Sequence, residues 1–200
     1  MSYSILQIIR LGIFKVRTFF VFPNAKIIRF PIDIRGRKFM QVGDGFTTGF
    51  GCRLEAYPAD KSSVVLRIGK NFQMNDYVHI AALEEVIIGD NVLMASKIFI
   101  TDISHGTYTG DEKNSHPESI PKERALQSKP VRIGDNVWLG ELVSVLPGVT
   151  IGKGTIVGAN SVVSKSLPEN IIAVGSPAKP VKKFNLDKMV WERIEQNSSL

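Results

Sequence analysis

The chain has 200 residues, 44% of them hydrophobic, with 25 basic against 19 acidic side chains and a net charge of +6. That size and apolar content suit one domain with its own core, and the single cysteine, Cys52, excludes an internal disulfide and fits a reducing compartment such as the cytoplasm. A pI near 9.5 favours anionic partners, but no basic stripe with interleaved aromatics appears, so nucleic acid is set aside in favour of a phosphate-bearing coenzyme or an anionic membrane face.

Residues 1–22 read as an N-terminal amphipathic helix. Ile5, Ile9, Ile13, Val16 and Phe20 share one face, while Arg10, Lys15 and Arg17 sit elsewhere on the wheel. It is not a secretory signal, because cations do not lead the apolar run and no small-residue cleavage site follows. Three charges also interrupt it as a membrane span. The preferred reading is a cap over the open end of the structure that follows. The second is a membrane-surface helix, giving peripheral contact through residues 2–22 at the inner face of the membrane. Pro23 ends the helix, Asn24–Met40 alternates loosely as extended chain, and the irregular glycines of Gly43–Tyr57 suggest an imperfect first coil.

A six-residue beat then takes over. Ile68, Met74, Ile80 and Val86 keep the spacing, with Phe72 and Val78 four residues behind their leaders. The beat slips by two and resumes at Ile88, Met94 and Ile100, with Val92, Ile98 and Ser104 at the offset. It stops across Gly106–Val131 and returns at Ile133, Leu139, Val145, Ile151, Val157 and Val163, each trailed four residues later by Val137, Val143, Val149, Thr155, Ser161 and Leu167. A helix repeats every three to four residues and an isolated strand every two, so neither fits. Short parallel strands joined by tight corners do fit, with each aliphatic turned into a shared core and glycine easing the bend. The long interruption is where function is expected. Pro168 and Pro177 close the last corners. Leu186, Met189, Val190 and Ile194 predict a short amphipathic helix over 184–196 that caps the far end. The expectation is therefore a mainly β single domain over 1–200: a parallel β-helix over 43–181 with one long loop at 106–131, and a helix at each terminus.

The tract Ile133–Lys183, with Asn75–Leu83 and Thr101–Gly106, resembles the hexapeptide-repeat acyltransferases. Among these it is similar to the sugar O-acetyltransferases of the galactoside and maltose type, and to those that modify bacterial O-antigen or capsule sugars. The resemblance spans about Gly43 to Val181. It implies a left-handed parallel β-helix, a handedness that the general preference for right-handed crossovers would have missed. It also implies acetyl-CoA as donor, a sugar or lipid-linked glycan as acceptor, a homotrimer with coenzyme bound between subunits, and no metal.

Moving an acetyl group from a thioester to a hydroxyl needs a base for the hydroxyl proton, and histidine titrates in the right range for that. The resemblance places the catalytic histidine at the corner entering the long loop. Here that is His105, within Asp102-Ile103-Ser104-His105-Gly106, where O-antigen enzymes often read Asp-His-Asn-His-Gly. It gives Asn75 to the acceptor sugar, although a corner ladder is an equal reading of an asparagine there. Asp102 is assigned to the substrate site as a partner that orients His105, or else to a turn cap. The backbone N–H of Glu141, just after Trp138-Leu139-Gly140, is implied as the oxyanion donor. Trp138, Gly140, Gly158 and Ala159 line the pantetheine path, and Lys165, Lys179, Lys182 and Lys183 meet the coenzyme phosphates. His79 reads as structural. His116, Glu118 and Glu123 stay without roles.

Two other activities compete with this one. One is a xenobiotic or antibiotic acetyltransferase on the same fold. The other is a zinc enzyme like the γ-carbonic anhydrases, which needs three converging histidines where the chain has only His79, His105 and His116. A non-catalytic scaffold is disfavoured by the His105 corner, the Trp-Leu-Gly tract and the basic C-terminal coil together.

Overall fold

The computed structural model describes residues 4–195. Apart from one helix, the architecture is three parallel sheets that the chain visits in strict rotation. The first face holds Ile32–Arg35, Cys52–Ala56, His79–Ala82, Phe99–Thr101, Ser144–Val145 and Val162–Val163. The second holds Met40–Val42, Leu66–Ile68, Val86–Ile88, Val131–Ile133 and Thr150–Ile151. The third holds Thr47–Thr48, Gln73–Met74, Leu93–Met94, Trp138–Leu139, Ile156–Val157 and Ile171–Val174.

The six-residue beat is the cause of this rotation. Six residues carry the chain from one face to the next, so eighteen return it to the same face one coil higher. Ile133 pairs with Ile151, Leu139 with Val157 and Val145 with Val163. Each pair is buried, and the residues four behind, such as Val137, Val143 and Val149, fill the corners of the same core. A buried aliphatic of this size contributes roughly 1.5–3 kcal/mol, so the stacked columns hold the coils in register. The slip of two is one wider coil. Ile68 and Ile88, Met74 and Met94, and Ile80 and Ile100 pair at a separation of twenty, with Ile80 and Ala82 both buried in the longer strand His79–Ala82.

Corners bring consecutive coils too close for side chains at some positions. A Cβ on Gly140 would lie 2.7 Å from the Ala159 backbone nitrogen. Asparagine recurs at the left-handed corner position, as at Asn91, Asn136 and Asn160, with φ of 56°, 57° and 58°, where it is better tolerated than most residues.

Three boundaries differ from expectation. Parallel pairing begins before Gly43, because Ile32–Arg35 already aligns with Cys52–Glu55. No helix forms near the C-terminus. Lys179–Asn185 and Val190–Arg193 make an antiparallel hairpin on the third face, and residue 196 of the expected helix lies outside the described residues. The period there is two rather than 3.6. Phe184 pairs with Trp191 at 5.2 Å between ring centroids, and the Asn185 side chain accepts from the backbone N–H groups of Asp187 and Lys188 to turn the chain.

The third difference is the seating of the N-terminal helix, α1 (Ile5–Val21), capped by Ser4; residues 1–3 of the expected helix lie outside the described residues. The expected apolar face does not dock. Only Phe14 and Thr18 are buried. The Thr18 hydroxyl accepts the Ile28 N–H at 2.8 Å and donates to the Phe14 carbonyl at 2.7 Å, and Phe14 packs against Phe30 and Phe50. The end of the core is covered instead by Phe22, Ala25 and Ile28, with Phe22 against Phe46 and Phe46 stacked on Phe72. Cys52 is buried among these coils, its thiol donating to the Asn75 carbonyl at 3.0 Å, and burial pushes its pKa up.

Candidate active site

The long loop leaves the stacked sheets where the chain passes from the first face to the second. Its two ends pair as antiparallel strands, Ile103–His105 with Leu126–Ser128, which fixes His105 at the loop base with its side chain exposed. The Tyr108 hydroxyl donates to the His105 carbonyl at 2.6 Å and accepts from Arg124 Nη1 at 2.8 Å. Arg124 also donates from Nη2 to the Pro117 and Ser119 carbonyls. Gly106, at φ 102°, lets the chain turn sharply here; a Cβ would sit 2.7 Å from the Tyr108 hydroxyl oxygen. Tyr108 and Arg124 carry no motif or spacing signal, because their role depends on how the loop folds onto itself.

Asp102 is not a substrate ligand. It is fully buried, and its carboxylate accepts from the backbone N–H groups of Leu83, Glu84 and Glu85 at 2.8–2.9 Å. Both oxygens are committed to closing the wide corner of the coil below. Such a corner turns more N–H groups inward than the backbone can satisfy, and a buried carboxylate supplies the acceptors.

The edge between the third and first faces carries another set. Asn75, then Ser96, then Gly140 and Glu141, then Gly158 and Ala159 occupy successive corners along it. The Asn75 side chain is exposed and makes no bond to the coil above; its Oδ1 accepts weakly from Gln73 Nε2 at 3.4 Å. Its neighbour Asp76 serves the corner ladder, accepting the Phe50 N–H at 2.7 Å. Asn75 therefore opens onto a cleft shared with Lys26, Arg29, Gln73 and Ser96. Arg29 and Ser96 carried no sequence signal for this site. Farther along the same edge, Ala159 stands over Glu141 and offers no side-chain acceptor. Among the described residues the Glu141 N–H has no hydrogen-bond partner, and the same holds for the Asp76, Ser96 and Ala159 N–H groups on this edge. The next residue, Leu142, is left-handed at φ 59°, but Tyr77 and Lys97 share that conformation on the same edge, so it belongs to the corner rather than to the site.

On the outer side of the third face, in-register neighbours form one column: Leu93, Trp138, Ile156, Ile172 and Lys182. Trp138 is 47% exposed. The column runs from apolar to cationic. Lys179 is exposed and pairs with Val174 above Gly158. Lys183 alternates to the other side of its strand from Lys182, and Lys165 lies on the first–second edge, after Val163. His105 and Lys165 thus share one edge, and Asn75, Glu141, Ala159 and Lys179 another. The first face between them is about five residues wide, on the order of 15 Å.

The three histidines are not gathered. His79 Nε2 lies 2.7 Å from Glu55 Oε2, and His116 Nδ1 accepts the Glu118 N–H at 3.3 Å. Among the described residues no group of three His, Cys, Asp or Glu side chains is placed to hold a metal ion. Glu118 and Glu123 are exposed on the loop.

Residues 130–165 match the family described as bacterial transferase hexapeptide (six repeats), so fold and sequence define a transferase built on six-residue repeats. The chain is 46% identical over 191 residues, 96% of its own length and 95% of the relative's, to a protein of Escherichia coli (strain K12) named as the lipopolysaccharide biosynthesis O-acetyl transferase WbbJ. It is 36% identical to the galactoside O-acetyltransferase of the same organism, over 60% of this chain and 55% of that enzyme. The chain belongs to the hexapeptide-repeat acyltransferase family and is an acyltransferase. Among solved structures it resembles AntD, an N-acyltransferase from Bacillus cereus described in complex with dTDP-4-amino-4,6-dideoxyglucose and coenzyme A, with a TM-score of 0.66 at 21% identity over 82% of this chain and 84% of that one. It also resembles the acetyltransferase domain of PglB from Neisseria gonorrhoeae, described in complex with acetyl coenzyme A, with a TM-score of 0.55 at 15% identity over 78% and 57%. These likenesses concern the fold.

Proposed function

We propose that the three sheets close into a left-handed β-helix that assembles as a homotrimer and transfers acetyl from acetyl-CoA to a sugar hydroxyl, in the biosynthesis of lipopolysaccharide or a related surface polysaccharide. The similarity to WbbJ over nearly the whole chain supports the substrate class. The buried lone thiol suits the reducing cytoplasm, where we place the reaction.

The observation that carries the chemistry is the position of the Glu141 N–H, which lies beneath Ala159, just after the tract that begins at the exposed Trp138 of the outer column, and is not taken by any protein group among the described residues. Because no protein group takes it, this backbone donor is available to a developing oxyanion. His105 takes the proton of the sugar hydroxyl as its oxygen attacks the thioester carbonyl carbon. The tetrahedral oxyanion rests on the Glu141 N–H. Collapse breaks the carbon–sulfur bond, and the imidazolium returns its proton to the departing thiolate. No acyl-enzyme is needed, and Cys52 is buried away from solvent. The Trp138–Ile156–Ile172 column suits pantetheine, with Lys182 and Lys179 above it for the phosphates. Asn75 and its cleft take the acceptor.

Proton transfer needs contact at about 3 Å, and His105 and Glu141 sit on different edges of one chain. Two copies with unlike edges facing each other bring them together, and a threefold ring provides three such sites. Lys165, on the His105 edge, then reaches a coenzyme bound along its neighbour.

The test is a coenzyme-release assay with acetyl-CoA against free sugars, nucleotide sugars, polyprenyl-linked repeats and an aminoglycoside panel. Turnover with a sugar hydroxyl is expected. Turnover confined to the antibiotics would replace this reading with the xenobiotic one.

A further inference from the structure

Helix α1 sits on the protein the wrong way round for a cap. Ile5, Ile9, Ile13, Val16, Phe19 and Phe20 are each more than half exposed. At the helical repeat they fall within an arc of about 120°. Gly12 lies in the same arc, and a Cβ there would meet nothing within 4 Å. No polar side chain interrupts this ridge, and the helix contains no acidic residue.

The cations of the helix border the ridge, Lys15 on one side and Arg10 and Arg17 on the other. They are tied to the protein by groups that leave their charge uncompensated. Lys15 Nζ donates to the Lys26 carbonyl at 2.8 Å. The Arg17 guanidinium lies 3.9 Å from the Phe30 ring centroid, and that of Arg10 lies 4.8 Å from that of Phe50. Among the described residues none of the three has a carboxylate partner. The ridge is also too short to be a span: no described helix is long and apolar enough to cross a membrane.

From this arrangement we infer that α1 is a membrane-surface helix that lays its apolar ridge into a bilayer carrying anionic headgroups. An apolar face bordered by cations on both sides matches such a surface, where apolar burial and attraction to anionic lipid add. A second copy fits less well. Two ridges brought together would align uncompensated cations, with no acid in either helix to balance them. The inference concerns where the enzyme works and does not depend on the role of His105.

The test is flotation of the full-length protein with vesicles of phosphatidylethanolamine and phosphatidylglycerol, and with vesicles of phosphatidylcholine alone. Wild type is expected to float with the anionic vesicles, less with the neutral ones, and less at high salt. Ile9→Glu combined with Ile13→Glu is expected to lower that partition by about tenfold or more. Neither side chain is buried, so thermal melting and turnover of a soluble acceptor should not change. Failure of wild type to float, equal flotation of the double variant, or equal partition into neutral vesicles would each overturn the inference. A fall in oligomer mass by sedimentation, with flotation unchanged, would also overturn it and assign the ridge to a second copy.

Discussion

The Tyr108 hydroxyl bonds the backbone carbonyl of His105, not its ring. The side chain proposed as base is therefore positioned through its own main chain, by a tyrosine that Arg124 holds in turn. Tyr108→Phe removes two exposed hydrogen bonds, one to the His105 carbonyl and one from Arg124, and should cost about 1–2 kcal/mol in stability. Small displacements of a reacting group cost far more in rate, so kcat should fall by roughly tenfold with acetyl-CoA affinity unchanged. Steady-state kinetics beside calorimetry separates the two effects. Equal kcat in variant and wild type would show that the clasp shapes the loop without serving the reaction.

His105→Ala should leave a folded protein that binds acetyl-CoA normally. The side chain is exposed, so its removal opens no cavity. Loss of a general base typically lowers kcat by about a hundred- to ten-thousand-fold. Near-normal turnover by the folded variant would remove His105 from the mechanism.

Ala159→Asp tests the oxyanion donor without touching it. A carboxylate there can accept the Glu141 N–H as Asp76 accepts that of Phe50. Stability should hold or rise. The rate should drop by about a hundred- to a thousand-fold, as on removing an oxyanion donor. Glu141→Ala should be nearly silent in kcat, since only its backbone is used.

Mixing these two inactive proteins tests the shared site. After co-refolding in equal amounts, random trimers contain interfaces in which one copy supplies His105 and its neighbour supplies Ala159. About a quarter of interfaces are then intact, and activity should recover toward that fraction. Absence of any recovery, with mixed trimers demonstrated by mass, would place both groups in one chain.

Glu55, nearly buried on the outer side of the first face, gives a pH signature. Burial pushes its carboxyl up, but hydrogen bonds from Arg53 and Tyr57 and the contact with His79 outweigh this and hold it at about 2. A carboxyl lowered on folding adds stability above its ordinary value near 4.5, and this is lost as pH falls from there toward 2. Glu55→Gln should cost roughly 1–2 kcal/mol at neutral pH, because the arginines are partly exposed and screened. Melting temperatures of variant and wild type should converge between pH 4.5 and 2. Parallel melting curves across that window would show that Glu55 carries no such linkage.

Much of the three-sheet stacking could be read from the chain because one physical rule repeats in it. An aliphatic every six residues can reach a common core only if the chain turns three faces per coil, and Ile133 to Val163 obeyed that rule without exception. The slip between Val86 and Ile88 marked a wider coil for the same reason. Where no rule repeats, the sequence misled. The spacing of Leu186, Met189, Val190 and Ile194 suggested a helix, while the pairing of Phe184 with Trp191 across an Asn185 turn decided for strands. The apolar face of α1 was legible, but not the direction it points; that depended on Phe14 and Thr18, two positions on the other side of the wheel. Asp102 had two readings, a partner for His105 or a turn cap, and three backbone amides of the neighbouring coil decide for the cap. Nor does the six-residue count carry across the long loop, so which edge His105 shares with the later corners depends on the chain rejoining the second face at Val131.

The burial of Cys52 has a practical consequence. Its thiol is the only one in the protein, it is enclosed by the coils around Asn75, and its pKa is raised, so little thiolate is presented to solvent. An aromatic disulfide reagent added to the native enzyme should therefore draw no colour from the protein. Every sulfhydryl it reports during turnover comes from liberated coenzyme, and the reaction can be followed continuously at high enzyme concentration without background correction.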